Sequence, residues 1–191
     1  IRAKSLDQIV SELATHGLRA LQIREKDLPD GPYENLALNI LDAVKNRPLR
    51  IFLNSRISMA KKYGTGLHLP DGADIAAARK TLGPQAEIGV SCHSLESAQA
   101  AERDGASFIL FGPVFSPISK SSAGTPRGIA MLENISKMIR RPVVALGGIT
   151  PNNAADCLKA GAAAVASIGS LMDTKDPKRT LAAFEKTLGA L

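Results

Sequence analysis

Gln22, Arg24 and Lys26 alternate at the end of a short apolar run, so in an extended chain their side chains leave on one side. An amide, a planar guanidinium fork and a compact ammonium form a clamp suited to a diphosphate. The other reading of the Arg-Glu-Lys-Asp stretch is a solvated charged loop. The next apolar run ends in Asn54, which can hydrogen-bond a ligand, and Ser55, which reads as a helix N-cap. His68 falls inside the following run and reads as a packed residue. Asp71 and Asp74 behind it suit either a hard cation or a turn and a helix cap. Cys92 and His93 are adjacent, but neighbours in a strand face opposite ways, which argues against a nucleophile and base pair. The stretch from Gly112 to Gly128 carries Ser119 and Lys120, a hydroxyl and a cation fit for a phosphate. Gly147 and Gly148, and then Ile168 and Gly169 between Ser167 and Ser170, would let backbone amides approach an anion.

These residues sit at the ends of a repeating pattern. Seven apolar runs, 19–23, 49–53, 65–69, 87–91, 107–111, 142–146 and 163–167, read as strands buried on both faces. Eight amphipathic stretches, 5–16, 32–45, 55–63, 75–82, 95–103, 129–139, 151–159 and 176–188, read as helices. Gly17, Gly64, Gly105 and Gly161 are placed as their C-terminal caps. Strict alternation implies a parallel sheet covered by helices, either a doubly wound sheet or a barrel. No Gly-x-Gly-x-x-Gly follows the first strand. Seven strands against eight helices favour a compact (β/α)8 TIM barrel whose first strand is missing from the sequence as given, in one domain over residues 1–191. Barrel sites lie where strands end and βα loops begin, which is where the polar residues collect.

Composition agrees with this picture. Of 191 residues 45% are hydrophobic and 22% charged, which excludes wholesale disorder. Aromatics are 4% with no Trp, which disfavours stacking platforms for single-stranded nucleic acid. Twenty-four Lys and Arg against 18 Asp and Glu give a charge of +6, scattered rather than clustered, so a small phosphorylated molecule is a better partner than nucleic acid. No apolar run approaches the ~20 residues of a membrane span. Two cysteines without metal or disulfide spacing suit a reducing compartment, so a soluble, cytoplasmic protein is expected. A homo-oligomer is left open.

In order along the chain, QIREKD (22–27), LNSR (53–56), GLHL (66–69), GVSCHS (89–94), GPVF (112–115) with Ser119-Lys120, ALGGI (145–149) with Asn153, and the segment 160–169 resemble thiamin phosphate synthase and its TenI-type relatives. The resemblance runs in register from about Leu18 to Leu171. It implies a (β/α)8 barrel joining hydroxymethylpyrimidine diphosphate to a thiazole phosphate with release of pyrophosphate. It implies that Gln22, Arg24 and Lys26 hold the pyrimidine diphosphate beside Asn54, that Ser91 lines the pyrimidine site, and that Ser119 and Lys120 close over the phosphates. Arg24, Lys26 and Lys120 would then be catalytic. Gly148, Ile168 and Gly169 would present backbone to the thiazole phosphate. A Mg2+ ion is implied as well, but its usual carboxylate positions hold Ser55 and Ala73 here, with Asp74 one place late. Pro117-Ile118-Ser119-Lys120 also stands where Thr-x-Thr-Lys is usual. The relatives that isomerise a thiazole carboxylate phosphate lack those metal ligands too, yet their catalytic His falls where this chain has Pro113. Three readings follow: a synthase, a TenI-like thiazole tautomerase, and a non-catalytic phosphate-binding relative.

Overall fold

The computed structural model describes residues 5–116, 125–172 and 176–189. The apolar runs become strands β1 (Ala20–Ile23), β2 (Arg50–Asn54), β3 (Gly66–Leu69), β4 (Ile88–Cys92), β5 (Phe108–Phe111), β6 (Val143–Leu146) and β7 (Ala164–Ala166). They stand side by side in chain order, every neighbouring pair parallel. The helices are α1 (Leu6–Thr15), α2 (Asp30–Val44), α3 (Ile57–Tyr63), α4 (Ile75–Leu82), α5 (Leu95–Arg103), α6 (Ile129–Met138), α7 (Ala154–Lys159), α8 (Gly169–Met172) and α9 (Pro177–Leu188). The single turn α8 is additional to the eight read from periodicity.

Sequential parallel order belongs to a TIM-like barrel; a doubly wound sheet reverses its order. Among the described residues the seven strands read from the sequence are present, and β1 and β7 are not paired with each other, so the sheet is a half-barrel without the eighth strand of a closed barrel. The helical layer is continuous across that side, because α1 packs on both α2 and α9. Tyr33, Ala37, Ile40 and Val44 recur at helical spacing on α2 and bury their stripe against Ile23, Ile51 and Leu53 of β1 and β2. Each large aliphatic side chain so buried contributes about 1.5–3 kcal/mol.

The expected cap at Ser55 is not observed. Ser55 adopts φ 58°, outside the right-handed helical region, so α3 begins only at Ile57 with Arg56 as its cap residue. Gly64 does end that helix in the left-handed conformation, at φ 64°. At the opposite end of the barrel the Arg79 guanidinium donates to the carbonyls of Gly83, Pro84, Ala86 and Gly105 and to Ser107 Oγ, tying the α4–β4 and α5–β5 connections together.

The interior below the site is aromatic. Phe52 of β2 is paired in register with Gly66, and Phe108 of β5 with Gly89. The missing side chains on β3 and β4 make room for the two rings to meet edge to face. Two residues further along each strand the side chains return to the same face. There they are Asn54, His68 and Ser91.

Candidate functional site

Four side chains from four consecutive strands join into one layer above those rings. Gln22 Nε2 donates to Asn54 Oδ1 at 3.0 Å and to His68 Nδ1 at 2.9 Å. On the other side of the imidazole, Nε2 lies 3.2 Å from Ser91 Oγ. With Nδ1 accepting, Nε2 carries the proton and donates to the serine, which assigns one neutral tautomer. His68 is 4% exposed and is the buried polar residue among the described core positions. Burial, and then the positive charge of Arg24, lower its pKa to about 4. The imidazole is packed, as expected, and in its neutral form it also links Gln22 to Ser91. What sets it apart is its partners on three other strands.

Arg24 and Lys26 lie beyond the end of β1. The strand stops at Ile23 and Lys26 falls in a turn, so the expected alternation does not carry through to Lys26. Both side chains are exposed at the mouth, and Arg24 is close enough for its charge to act on His68. Two residues not expected to matter hold this loop. Tyr33 donates from its hydroxyl to Ile23 O at 2.8 Å and accepts from Asn54 N at 3.3 Å, joining the ends of β1 and β2. Arg56 donates to Leu28 O at 2.9 Å, pairs with Asp30 at 3.4 Å, and lies 4.9 Å from the centre of the Tyr33 ring.

The positions implicated in cation binding supply few donors. Ser55 is exposed, with its hydroxyl accepting from Asn54 Nδ2 at 3.2 Å. Ala73 has no donor, and Asp74 Oδ1 accepts from Ala77 N at 2.8 Å as the N-cap of α4. Among the described residues no three His, Cys, Asp or Glu side chains converge as metal ligands. This donor set does not fit a Mg2+ ion held chiefly by protein carboxylates. Burial pushes the Cys92 thiol up to about 12, while His93 Nδ1 donates to Gly112 O at 2.6 Å, so these neighbours do not act as a nucleophile and its base.

A second candidate region is the turn after β6. Gly147 and Gly148 have φ of 96° and 63°, and a Cβ on them would stand 2.5 Å from Pro113 and 2.4 Å from Ser116 O respectively. Only glycine fits a left-handed backbone in such close contact. Ser167 and Ser170, on either side of Ile168 and Gly169, bond back to this turn at Ile149 O. Ile168 is 63% exposed and Gly169 opens α8, so both stand at the mouth. Ser119 and Lys120 lie outside the described residues.

The chain was compared with known proteins. A family model described as thiamine monophosphate synthase matches residues 1–171. A putative thiamine-phosphate synthase of Geobacter sulfurreducens is 40% identical over 177 residues, 92% of this chain and 83% of that protein. The thiamine-phosphate synthase of Anaeromyxobacter dehalogenans is 37% identical over 175 residues, 88% of this chain and 78% of that one. Among solved structures, thiamine phosphate pyrophosphorylase from Pyrococcus furiosus superposes with a TM-score of 0.87 at 27% identity, covering 98% of this chain and 91% of that one.

Proposed function

This chain belongs to the thiamine monophosphate synthase family, and we infer that it joins hydroxymethylpyrimidine diphosphate to a thiazole phosphate, forming thiamin phosphate and releasing pyrophosphate. It is a transferase. The observation that carries the reading is the layout of the strand ends. A neutral hydrogen-bonding layer, Gln22 to Ser91, has cations on its β1 side and a left-handed glycine turn after β6.

Each part then has a task. Gln22, Asn54 and Ser91 hold the pyrimidine by its ring edge, and His68 fixes the orientation of Gln22 and Ser91. Arg24 and Lys26, with Ser119 and Lys120, take the diphosphate. As its C–O bond breaks, these cations stabilise the departing pyrophosphate, and the thiazole nitrogen attacks the electron-poor methylene to form the new C–N bond. Gly148, Ile168 and Gly169 hold the thiazole phosphate at the distance that aligns the nitrogen. No strong base is required, which suits an imidazole that stays neutral with its proton turned toward Ser91.

On the same reading the sheet belongs to an eight-stranded barrel in one domain. The two buried free thiols suit the cytoplasm, and no helix among the described residues is long and apolar enough to cross a membrane. Diphosphate oxygens, rather than paired carboxylates, would supply most ligands to any Mg2+ involved.

The test is to mix the purified chain with both substrates and follow pyrophosphate and thiamin phosphate. Formation of both in equal amounts, lost in Lys120→Ala, supports the synthase. Aromatisation of the thiazole carboxylate phosphate without pyrophosphate release would replace it with a tautomerase. Phosphate binding with neither reaction would leave a binding protein.

A further inference from the structure

From Leu146 to Thr150, each carbonyl at the start of the turn between β6 and α7 has a donor. Leu146 O accepts from Val114 N at 2.9 Å and Gly147 O from Phe115 N at 3.0 Å. Gly148 O accepts from Asn153 Nδ2 at 3.0 Å. Ile149 O accepts from two hydroxyls, Ser167 Oγ at 2.9 Å and Ser170 Oγ at 2.7 Å. Thr150 O accepts from the amides of Asn153 and Ala154 at 3.2 and 3.0 Å. The same Asn153 side chain takes the Thr150 amide on its Oδ1 at 2.8 Å, so it grips the turn at two points.

A planar peptide unit points its carbonyl and the following N–H in opposite directions. Holding Gly147 O on Phe115 therefore turns the Gly148 N–H the other way, and among the described residues that N–H has no acceptor. An anion site built from backbone fails if a neighbouring carbonyl swings toward the anion, because the oxygen repels it and displaces the donor. Gly148 has no Cβ to resist such a flip. The Gly147 carbonyl is held by the Phe115 amide, and the next two carbonyls are held by side chains. Asn153 holds the Gly148 carbonyl, and the two serines hold the Ile149 carbonyl from the β7 side.

We propose that Asn153, Ser167 and Ser170 are positioning residues for the phosphate of the thiazole substrate, holding the Gly148 and Ile149 carbonyls away so that this turn meets the anion with its amide. The assignment of that phosphate rests on the function inferred above; the carbonyl restraint itself does not. The doubled hydroxyl contact also ties the β7–α8 corner, with Ile168 and Gly169, to the β6 turn, so the two halves of the phosphate site move as one unit.

Three variants separate the contacts. Asn153→Asp keeps an acceptor for the Thr150 amide but cannot donate to Gly148 O. Ser167→Ala with Ser170→Ala releases Ile149 O, and Ser167→Thr with Ser170→Thr restores a hydroxyl at both places. Inorganic phosphate titrated calorimetrically reads the turn without the reaction, and inorganic pyrophosphate reads the Arg24 and Lys26 side as a check that each variant is folded. The expected result is phosphate affinity about tenfold weaker in Asn153→Asp and in the double alanine variant, the loss of about one oriented hydrogen bond. The threonine pair should recover it, with pyrophosphate affinity unchanged throughout. In turnover, KM for the thiazole phosphate should rise by a similar factor while kcat and KM for the pyrimidine diphosphate hold. Equal phosphate affinity in parent and variants, or none in the parent, overturns the proposal whatever the activity. Loss of phosphate affinity in the variants of a chain that turns over neither substrate upholds it and overturns the synthase reading instead.

Discussion

The rings of Phe52 and Phe108 meet edge to face, 5.1 Å apart between centroids and 75° between planes, over the two strands that carry glycine in register with them. A methyl group at Gly66 would stand 2.4 Å from the Phe52 ring, and one at Gly89 would stand 2.2 Å from the Phe108 ring. The rings lie one layer below Asn54, His68 and Ser91 on neighbouring strands. Gly66→Ala and Gly89→Ala should each lower stability by about 1–3 kcal/mol, as overpacking does, and should weaken pyrimidine binding. Urea unfolding midpoints equal to the parent's would contradict this.

The buried imidazole makes stability depend on pH. His68 titrates near 4 in the folded chain against 6.5 ordinarily, so between those values the unfolded chain binds a proton that the folded one does not. Stability rises with pH across this window and is lost as pH falls from 6.5 toward 4, by on the order of 3 kcal/mol. His68→Gln should be less stable at neutral pH and flatter in that interval. Denaturant midpoints of the two proteins that fall in parallel from pH 6.5 to 4 would refute the assignment.

Arg24→Ala and Lys26→Ala remove cations from one end of the site only. Each should weaken pyrophosphate binding by about ten- to a hundredfold, the loss of a charge-assisted hydrogen bond, and leave KM for the thiazole phosphate near its parent value. Calorimetry with pyrophosphate checks the first expectation; an unchanged dissociation constant would remove these residues from the diphosphate clamp.

Ser55 occupies a left-handed backbone position at the end of β2, a conformation that Asp tolerates better than most residues. Ser55→Asp would place a carboxylate beside Asn54, where the family usually has one. The Mg2+ concentration giving half-maximal pyrophosphate release should fall at least about tenfold, in line with the contribution of a charged ligand to a hard cation. A Mg2+ titration superimposable on the parent's would count against a cation at this corner.

Much of this architecture was legible because a strand repeats every two residues. The triplets Phe52-Leu53-Asn54, Gly66-Leu67-His68 and Gly89-Val90-Ser91 each put a lower and an upper residue on one face, and the helices between them follow from amphipathic spacing and glycine stops. His68 is buried as its place in the run suggests, but its partners Gln22, Asn54 and Ser91 stand 46, 14 and 23 positions away, and only inter-strand register brings them together. The contacts of Tyr33 and Arg56 are hidden in the sequence for the same reason. The alternation stops short of Lys26 because β1 ends at Ile23, which nothing in the composition of Arg-Glu-Lys-Asp marks, and serine, unlike glycine, gives no sign of the left-handed backbone that keeps Ser55 from capping α3.

The aromatic pair below His68 has a consequence for traffic. With that end of the interior occupied by Phe52 and Phe108, reactants and products share one doorway, past Arg24 on one side and Ile168 on the other. A molecule seated against Gln22 and Ser91 lies deepest, and a second one lodged nearer the rim stands in its path. The pyrimidine should therefore enter first, and thiamin phosphate, which spans both depths, should bar the next pyrimidine until it has gone.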